Sequence, residues 1–262
     1  MIPKVIHYCW FGRGEKSKLI QKCIKSWKKY CPDYEIIEWN EDNFDVNQTI
    51  WTKQAYECRK WAFVSDYARL WILYNYGGIY LDTDVELINS LDSFIVDNAF
   101  VGFERDDRLG SGIIGVSEKN NIIKEWMEHY NKLSYVNDGK ITKEPNVLYM
   151  TELFTEKGLI ADNSCQEVSE FTVYPRTYFC PIAIDEKYKN ITRNTCAIHH
   201  FTSSWRTKKE MKKFRKAKRR QAWWYYKNLM ILPQKTVRLI LGNERVERIK
   251  LRIENKGIGK KK

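Results

Sequence analysis

Long apolar runs are missing from this 262-residue chain. No stretch approaches the ~18 apolar residues of a membrane-crossing helix, so no transmembrane span is expected. The opening MIPKVIHYCWFG also lacks the charged start and apolar run of a secretory leader. Paired cysteines are missing too. The chain has seven cysteines, an odd and scattered set with no CxxC pair and no zinc-like spacing. That argues against a zinc ribbon or a disulfide framework and for free thiols in a reducing cytoplasm. Histidine is scarce, with four in all. No internal repeat is visible, and the one low-complexity stretch is the lysine-rich end.

What is present is a length suited to one large domain with a small appendage. Aromatics are plentiful, with 10 Trp and 16 Tyr, enough for a sizeable core. The formal net charge of +12 is unevenly placed. Charges roughly balance up to Trp205, and the remainder is basic: RTKKEMKKFRKAKRR, then KGIGKKK. A basic tail implies an anionic partner, or a solvated helix face.

The pattern opens strand, helix, strand. PKVIHYCWFG reads as a buried first strand. KLIQKCIKSWKKY has apolar residues at helical spacing, stopped by Pro32, and YEIIEWN is a second strand. Trp51 to Tyr76 reads as one helix, with Ala62, Ser65, Asp66, Arg69, Leu70 and Leu73 near one face. Gly77 and Gly78 end it. GIYLDTDVEL then reads as a single strand. AFVGFER and SGIIGVS suggest a hairpin, and NNIIKEWMEHYNKL and NVLYMTELFTEKG two helices. EVSEFTVYPRTYFCP and TCAIHHFTSSW read as late strands, before a basic helical region broken at Pro233. The expected division is a domain over 1–205 and a basic, aromatic-rich helical region over 206–262.

Two carboxylates inside an apolar strand need a reason. In a strand, positions i and i+2 face the same side, so Asp82 and Asp84 would form one hard, anionic oxygen site. Mg²⁺ and Mn²⁺ favour such ligands and bind substrate phosphates as well. A desolvated aspartate there is costly unless it is paired or metal-bound. One turn apart on the preceding helix, Asp66 and Arg69 form either a plain ion pair or a grip on sugar hydroxyls and phosphate. Trp10 follows the first strand, at the sheet edge where open α/β folds bind ligands. It is either a base-stacking face or a core Trp. His199 and His200 follow an apolar strand, and one of them is a candidate metal ligand.

The blocks KWAFVSDYARLWILYNYGGIYLDTDVE, IPKVIHYCWFG, SWKKYCPDYEIIEWNEDNF and HHFTSSW together resemble glycosyltransferase family 32, the enzymes with a DxD sugar-binding motif. The resemblance covers residues 1 to 205 in separated blocks and lies toward the bacterial capsular polysaccharide group. It implies an α/β fold of the GT-A type with a mixed central sheet, and a retaining transfer from a nucleotide sugar. Under it, Trp10 stacks on the base beside the Cys9 backbone. Ser65, Asp66 and Arg69 hold the ribose, sugar and phosphate region, and Tyr80 flanks the nucleotide. Asp82 touches sugar or ribose and, through water, the metal, while Asp84 ligates the metal directly. His200 stands where toxin-like relatives carry an acidic ligand. Ser203 and Trp205 bind the diphosphate side, and Asn146 lies near the anomeric carbon or acceptor.

The implied cofactor is Mn²⁺ or Mg²⁺. The implied partners are a nucleotide-sugar donor, UDP-linked ahead of GDP-linked, and a glycan acceptor that is lipid-linked if the tail docks on a membrane. Nucleic acid is not expected. The location expected is cytoplasmic, peripheral on the inner face of the cell membrane. Two alternatives stand beside this: a basic membrane- or nucleic-acid-binding protein with a structural acidic pair, and a metal-dependent phosphohydrolase.

Overall fold

The computed structural model describes residues 1–142, 146–182 and 190–202. The expected basic region, 206–262, lies outside the described residues, as do Ser203 and Trp205. The chain opens with β1 (Val5–Cys9), α1 (Lys18–Tyr30) and β2 (Glu35–Trp39). Next come α2 (Ile50–Glu57), α3 (Trp61–Tyr76), β3 (Gly78–Leu81) and β4 (Val85–Leu87). The hairpin β5 (Ala99–Arg105) and β6 (Arg108–Val116) precedes α4 (Asn121–Asn131). A small hairpin, β7 (Val136–Asn137) and β8 (Lys140–Ile141), leads to α5 (Asn146–Glu156). The last strands are β9 (Gln166–Val168), β10 (Phe171–Tyr174) and β11 (Ala197–His199).

Seven strands form a mixed sheet in the order β2-β1-β3-β6-β5-β10-β9. β1 runs parallel to β2 and β3, and β10 runs parallel to β5. β6 runs antiparallel to both β3 and β5. The α/β class with a mixed central sheet is therefore as the sequence implied. Both faces are covered. One core gathers Trp51, Leu70, Trp126, Met150 and Phe154 from the helices over Val101 and Ile114 of the sheet. The other packs Cys23 and Trp27 of α1 against Ile6, Ile79 and Phe100. Strands buried on both faces read as near-continuous apolar runs, as β3, β5 and β6 do.

Local chemistry sets the helix starts. The Ser17 hydroxyl accepts from Ile20 N at the start of α1, and Asn120 Oδ1 accepts from Ile122 N and Ile123 N at the start of α4. Thr49 and Thr52 form a reciprocal capping box on α2. The single helix expected over 51–76 is two helices. Arg59 turns into the left-handed region at φ 54°, and α3 restarts at Trp61 with no side-chain cap. The Trp51 indole then donates to Phe63 O across the break, at 2.9 Å, fixing the angle between the two helices.

Gly77 ends α3 with φ 62°, and its N–H returns to Leu73 O. Gly78, at φ 87°, leaves space where a Cβ would fall 2.8 Å from Val5 O. These two glycines let the chain reverse from α3 directly into the sheet centre beside β1.

Candidate active site

Asp82 and Asp84 do not lie along one strand. β3 ends at Leu81, and residues 82–84 form a turn closed by Val85 N–H to Asp82 O at 2.9 Å. Among the described residues β4 then pairs only with β11, in a separate two-stranded sheet. α1 holds β4 from the side: the Trp27 indole donates to Val85 O at 2.8 Å, and Leu87 N–H donates to the Ser26 hydroxyl at 2.9 Å. The two carboxylates converge because the chain bends, and strand alternation plays no part.

β11 brings the third group. His199 Nε2 lies 3.2 Å from Asp84 Oδ1 and 3.9 Å from Asp82 Oδ2. His200, the expected ligand, points away, with its Nε2 2.9 Å from Glu86 Oε2. Neighbours on an extended segment face opposite sides, and the pairing of His199 with Val85 puts His199 on the aspartate side. Thr202 donates twice to Asp84 Oδ2, from backbone N–H and from hydroxyl, each at 2.8 Å.

Burial opposes charge on Asp84, yet His199 and the Thr202 donors hold its carboxyl well below the usual carboxylate range. Burial equally opposes a protonated His199, but the Asp84 carboxylate outweighs it and lifts the imidazole well above 6.5. The site thus attracts positive charge strongly enough to hold a proton against burial.

Ligand atoms of Asp82, Asp84 and His199 all lie within 4.8 Å of one another. Two carboxylates and an imidazole suit a divalent ion such as Mn²⁺. The backbone leaves room for that set. A Cβ on Gly112 would fall 2.8 Å from His199 Cε1 and 3.1 Å from Asp82 Oδ2.

Beside this group sits a buried arginine. Arg69 Nη1 donates to the carbonyl and hydroxyl oxygens of Ser111, at 2.7 and 3.0 Å. Its Nη2 reaches Asp66 Oδ1 at 2.9 Å and Asp82 Oδ1 at 3.4 Å. Its Nε donates to Ser65 O at 3.1 Å, and its guanidinium lies 4.7 Å from the centre of the Tyr80 ring. Burial lifts Asp66 to about 6, against the pull of Arg69. Asn146 donates from Nδ2 to Asp66 Oδ1 at 3.1 Å, while its Oδ1 is buried and has no partner among the described residues. The flipped amide would set two acceptor oxygens against each other, so the free atom is the acceptor.

Other expected positions differ in kind. Tyr80, expected beside the nucleotide, is 2% exposed, and its hydroxyl donates to Asp82 Oδ1 at 3.1 Å and orients that carboxylate. The Cys9 side chain is buried next to Tyr80 and Ser65, and the Ser65 hydroxyl bonds back to Trp61 O in its own helix. Trp10 is partly buried just beyond β1. Its indole donates to Gly14 O at 2.7 Å, and Lys16 Nζ lies 5.4 Å from the ring centre. Ser111, Gly112 and Thr202 join the site without having been expected there. The signal available for the first two was RLGSGIIG, a strand with small residues in its interior.

Fold and site together define an α/β protein with a carboxylate–imidazole cluster at the edge where β1 and β3 end. Residues 17–101 match the family model described as a glycosyltransferase sugar-binding region containing a DXD motif. Over that stretch the chain is similar to glycosyltransferases of that kind. Inositol phosphoceramide mannosyltransferase 3 of Schizosaccharomyces pombe is 25% identical over 142 residues, 51% of this chain and 38% of that protein. Human alpha-1,4-N-acetylglucosaminyltransferase is 31% identical over 135 residues, 49% of this chain and 37% of that protein. The matches thus cover well under half the length of these curated relatives. Among solved structures, a glycosyltransferase involved in the glycosylation of the major capsid of PBCV-1 is 12% identical. It covers 76% of this chain and 95% of that one, with a TM-score of 0.47. The PaToxG glycosyltransferase is 23% identical, covering 48% of this chain and 58% of that one, with a TM-score of 0.42.

Proposed function

We propose that the chain is a GT-A type, retaining hexosyltransferase that moves a sugar from a nucleotide-sugar donor to a glycan or lipid-linked acceptor. The carrying observation is the convergence of Asp82, Asp84 and His199 within 4.8 Å, next to the buried Arg69–Asp66–Asn146 group. Asp82, Asp84 and His199 are the residues that would hold Mn²⁺ or Mg²⁺. When bound, the ion neutralises charge developing on a leaving diphosphate.

Arg69 fixes the Asp66 and Asp82 carboxylates and adds a positive potential that stays in place throughout the reaction. Asp66 accepts sugar hydroxyls, and so does the unpartnered Asn146 Oδ1. Trp10, just past the end of β1, is the base-stacking candidate. Capsular or other surface polysaccharide is the product class, and residues 206–262 dock the enzyme peripherally on the cytoplasmic face of the membrane. The curated relatives' names add mannosyl and N-acetylglucosaminyl groups to the donors worth testing.

The test is a panel of UDP-glucose, UDP-galactose, UDP-N-acetylglucosamine and GDP-mannose with Mn²⁺, Mg²⁺ or EDTA. Expected is cation-dependent turnover of one donor. Hydrolysis of simple phosphate esters with no donor turnover would move the reading to a phosphohydrolase.

A further inference from the structure

The β5–β6 hairpin slips register beside the site. Phe103 faces Leu109 and Arg105 faces Arg108, which leaves Glu104 as the extra residue of a β-bulge. A bulge re-aims a side chain that strand alternation would have placed elsewhere. Gly110 makes room for it: a Cβ there would fall 2.9 Å from Glu104 Cβ. Two residues further along β6, Gly112 does the same for His199 and Asp82. Glu104 is partly buried, and its carboxyl lies in the field of His199, Arg108, Arg105 and Asp82, with burial pushing its pKa up. Arg105 turns to Asp107 instead, at 3.4 Å. Among the described residues, no hydrogen bond or ion pair reaches the Glu104 carboxylate. It also stands outside the 4.8 Å ligand cluster, so it is not placed to hold the cation.

We propose that Glu104 is a substrate-binding residue whose carboxylate receives a sugar hydroxyl beside the Asp82–Asp84–His199 cluster. This rests on the reading of the chain as a sugar transferase. An ionised carboxylate only accepts hydrogen bonds, and the Glu104 oxygens, which are not among the fully buried unpartnered atoms, are open to an incoming hydroxyl donor. A sugar offers hydroxyl donors at close spacing. The hydroxyl belongs either to the donor sugar or to the acceptor, and the two sources separate experimentally.

The experiment compares wild type, Glu104→Gln, Glu104→Ala and Asp84→Ala as full chains. It measures hydrolysis of the four nucleotide sugars above without acceptor, transfer to a glycan panel, Mn²⁺ affinity and Tm. Expected for Glu104→Ala is a fall in kcat/KM of about 10- to 100-fold, the size of a lost charged hydrogen bond. Glu104→Gln keeps an acceptor oxygen and falls less, and both variants keep wild-type Mn²⁺ affinity. A fall in both hydrolysis and transfer assigns a donor hydroxyl, whereas a rise in acceptor KM alone assigns an acceptor hydroxyl. Wild-type kinetics in both variants overturn the proposal, and so does Mn²⁺ affinity falling in step with activity. If Glu104→Ala does not fold, the near-isosteric Gln variant decides alone. No turnover by wild type on any donor overturns the transferase reading, and this proposal with it.

Discussion

Nε2 of His199 faces Oδ1 of Asp84 at 3.2 Å, while the next residue, His200, faces Glu86 on the other side of the strand. The two imidazoles should therefore separate cleanly in a metal titration. His199→Ala is expected to lower Mn²⁺ affinity at least about 100-fold, and His200→Ala to leave it within about threefold. Calorimetric titration of each variant checks this. Equal losses in both would place the cation elsewhere.

Asp84→Asn keeps the shape but removes the charge that Thr202 and His199 converge on. Donor turnover is expected to fall by about 100- to 1,000-fold, with the fold intact by circular dichroism. Turnover with EDTA equal to turnover with Mn²⁺ in wild type would contradict the role given to this carboxylate.

Arg69 is 4% exposed and is shared by Asp66, Asp82 and Ser111. Arg69→Met removes the cation shared by two partly buried carboxylates, leaving Asp66 the Asn146 amide and Asp82 the Tyr80 hydroxyl. The expected loss is about 3–5 kcal/mol of unfolding free energy, measured by urea denaturation. A loss below about 1 kcal/mol would mean that water reaches those carboxylates.

Gly112→Ala adds one methyl group against His199 and Asp82. The atoms it meets belong to side-chain ends, so the ligands shift before the backbone does. Mn²⁺ binding is expected to weaken about tenfold, with a stability cost of about 1–3 kcal/mol. Unchanged Mn²⁺ affinity would show that the cluster has slack.

His7 gives a pH prediction away from the site. Its Nδ1 accepts from the Trp39 indole and its Nε2–H donates to Gly77 O, each at 3.1 Å, so both ring nitrogens are satisfied in the neutral form. Burial lowers its pKa to about 4, from 6.5. Between those values the unfolded chain takes up a proton that the folded chain refuses. Stability is therefore complete above pH 6.5 and lost as pH falls toward 4, by at most about 3 kcal/mol from this residue. Urea midpoints across that range, for wild type and His7→Asn, check it; the variant should show the shallower dependence.

The strands and helices were legible because apolar periodicity and glycine punctuation agree over most of the chain, whereas the mixed sheet followed only from the family resemblance. The break at Arg59 was not, since CRKW contains neither Gly nor Pro and the left-handed turn falls on an ordinary residue. The bend between Asp82 and Asp84 was hidden because apolar residues flank it on both sides, as in one continuous strand. Which of the adjacent histidines faces inward depends on the register of β11 against β4, a pairing more than a hundred residues apart in sequence. The Glu104 bulge was invisible for a similar reason: it is a mismatch between two strands and belongs to neither alone.

The turn at 82–84 joins the seven-stranded sheet to the small β4–β11 ribbon, and the candidate ligands come from both sides of that seam. Asp82 leaves the large sheet, whereas Asp84 leads into β4 and His199 lies in β11. An ion held by all three would rivet the ribbon to the sheet inside one compact unit. Its free energy of binding would also be free energy of ribbon attachment, because lifting the ribbon away removes at least one ligand. Adding Mn²⁺ should accordingly slow amide exchange along Ala197–His199 more than along β1 or β2.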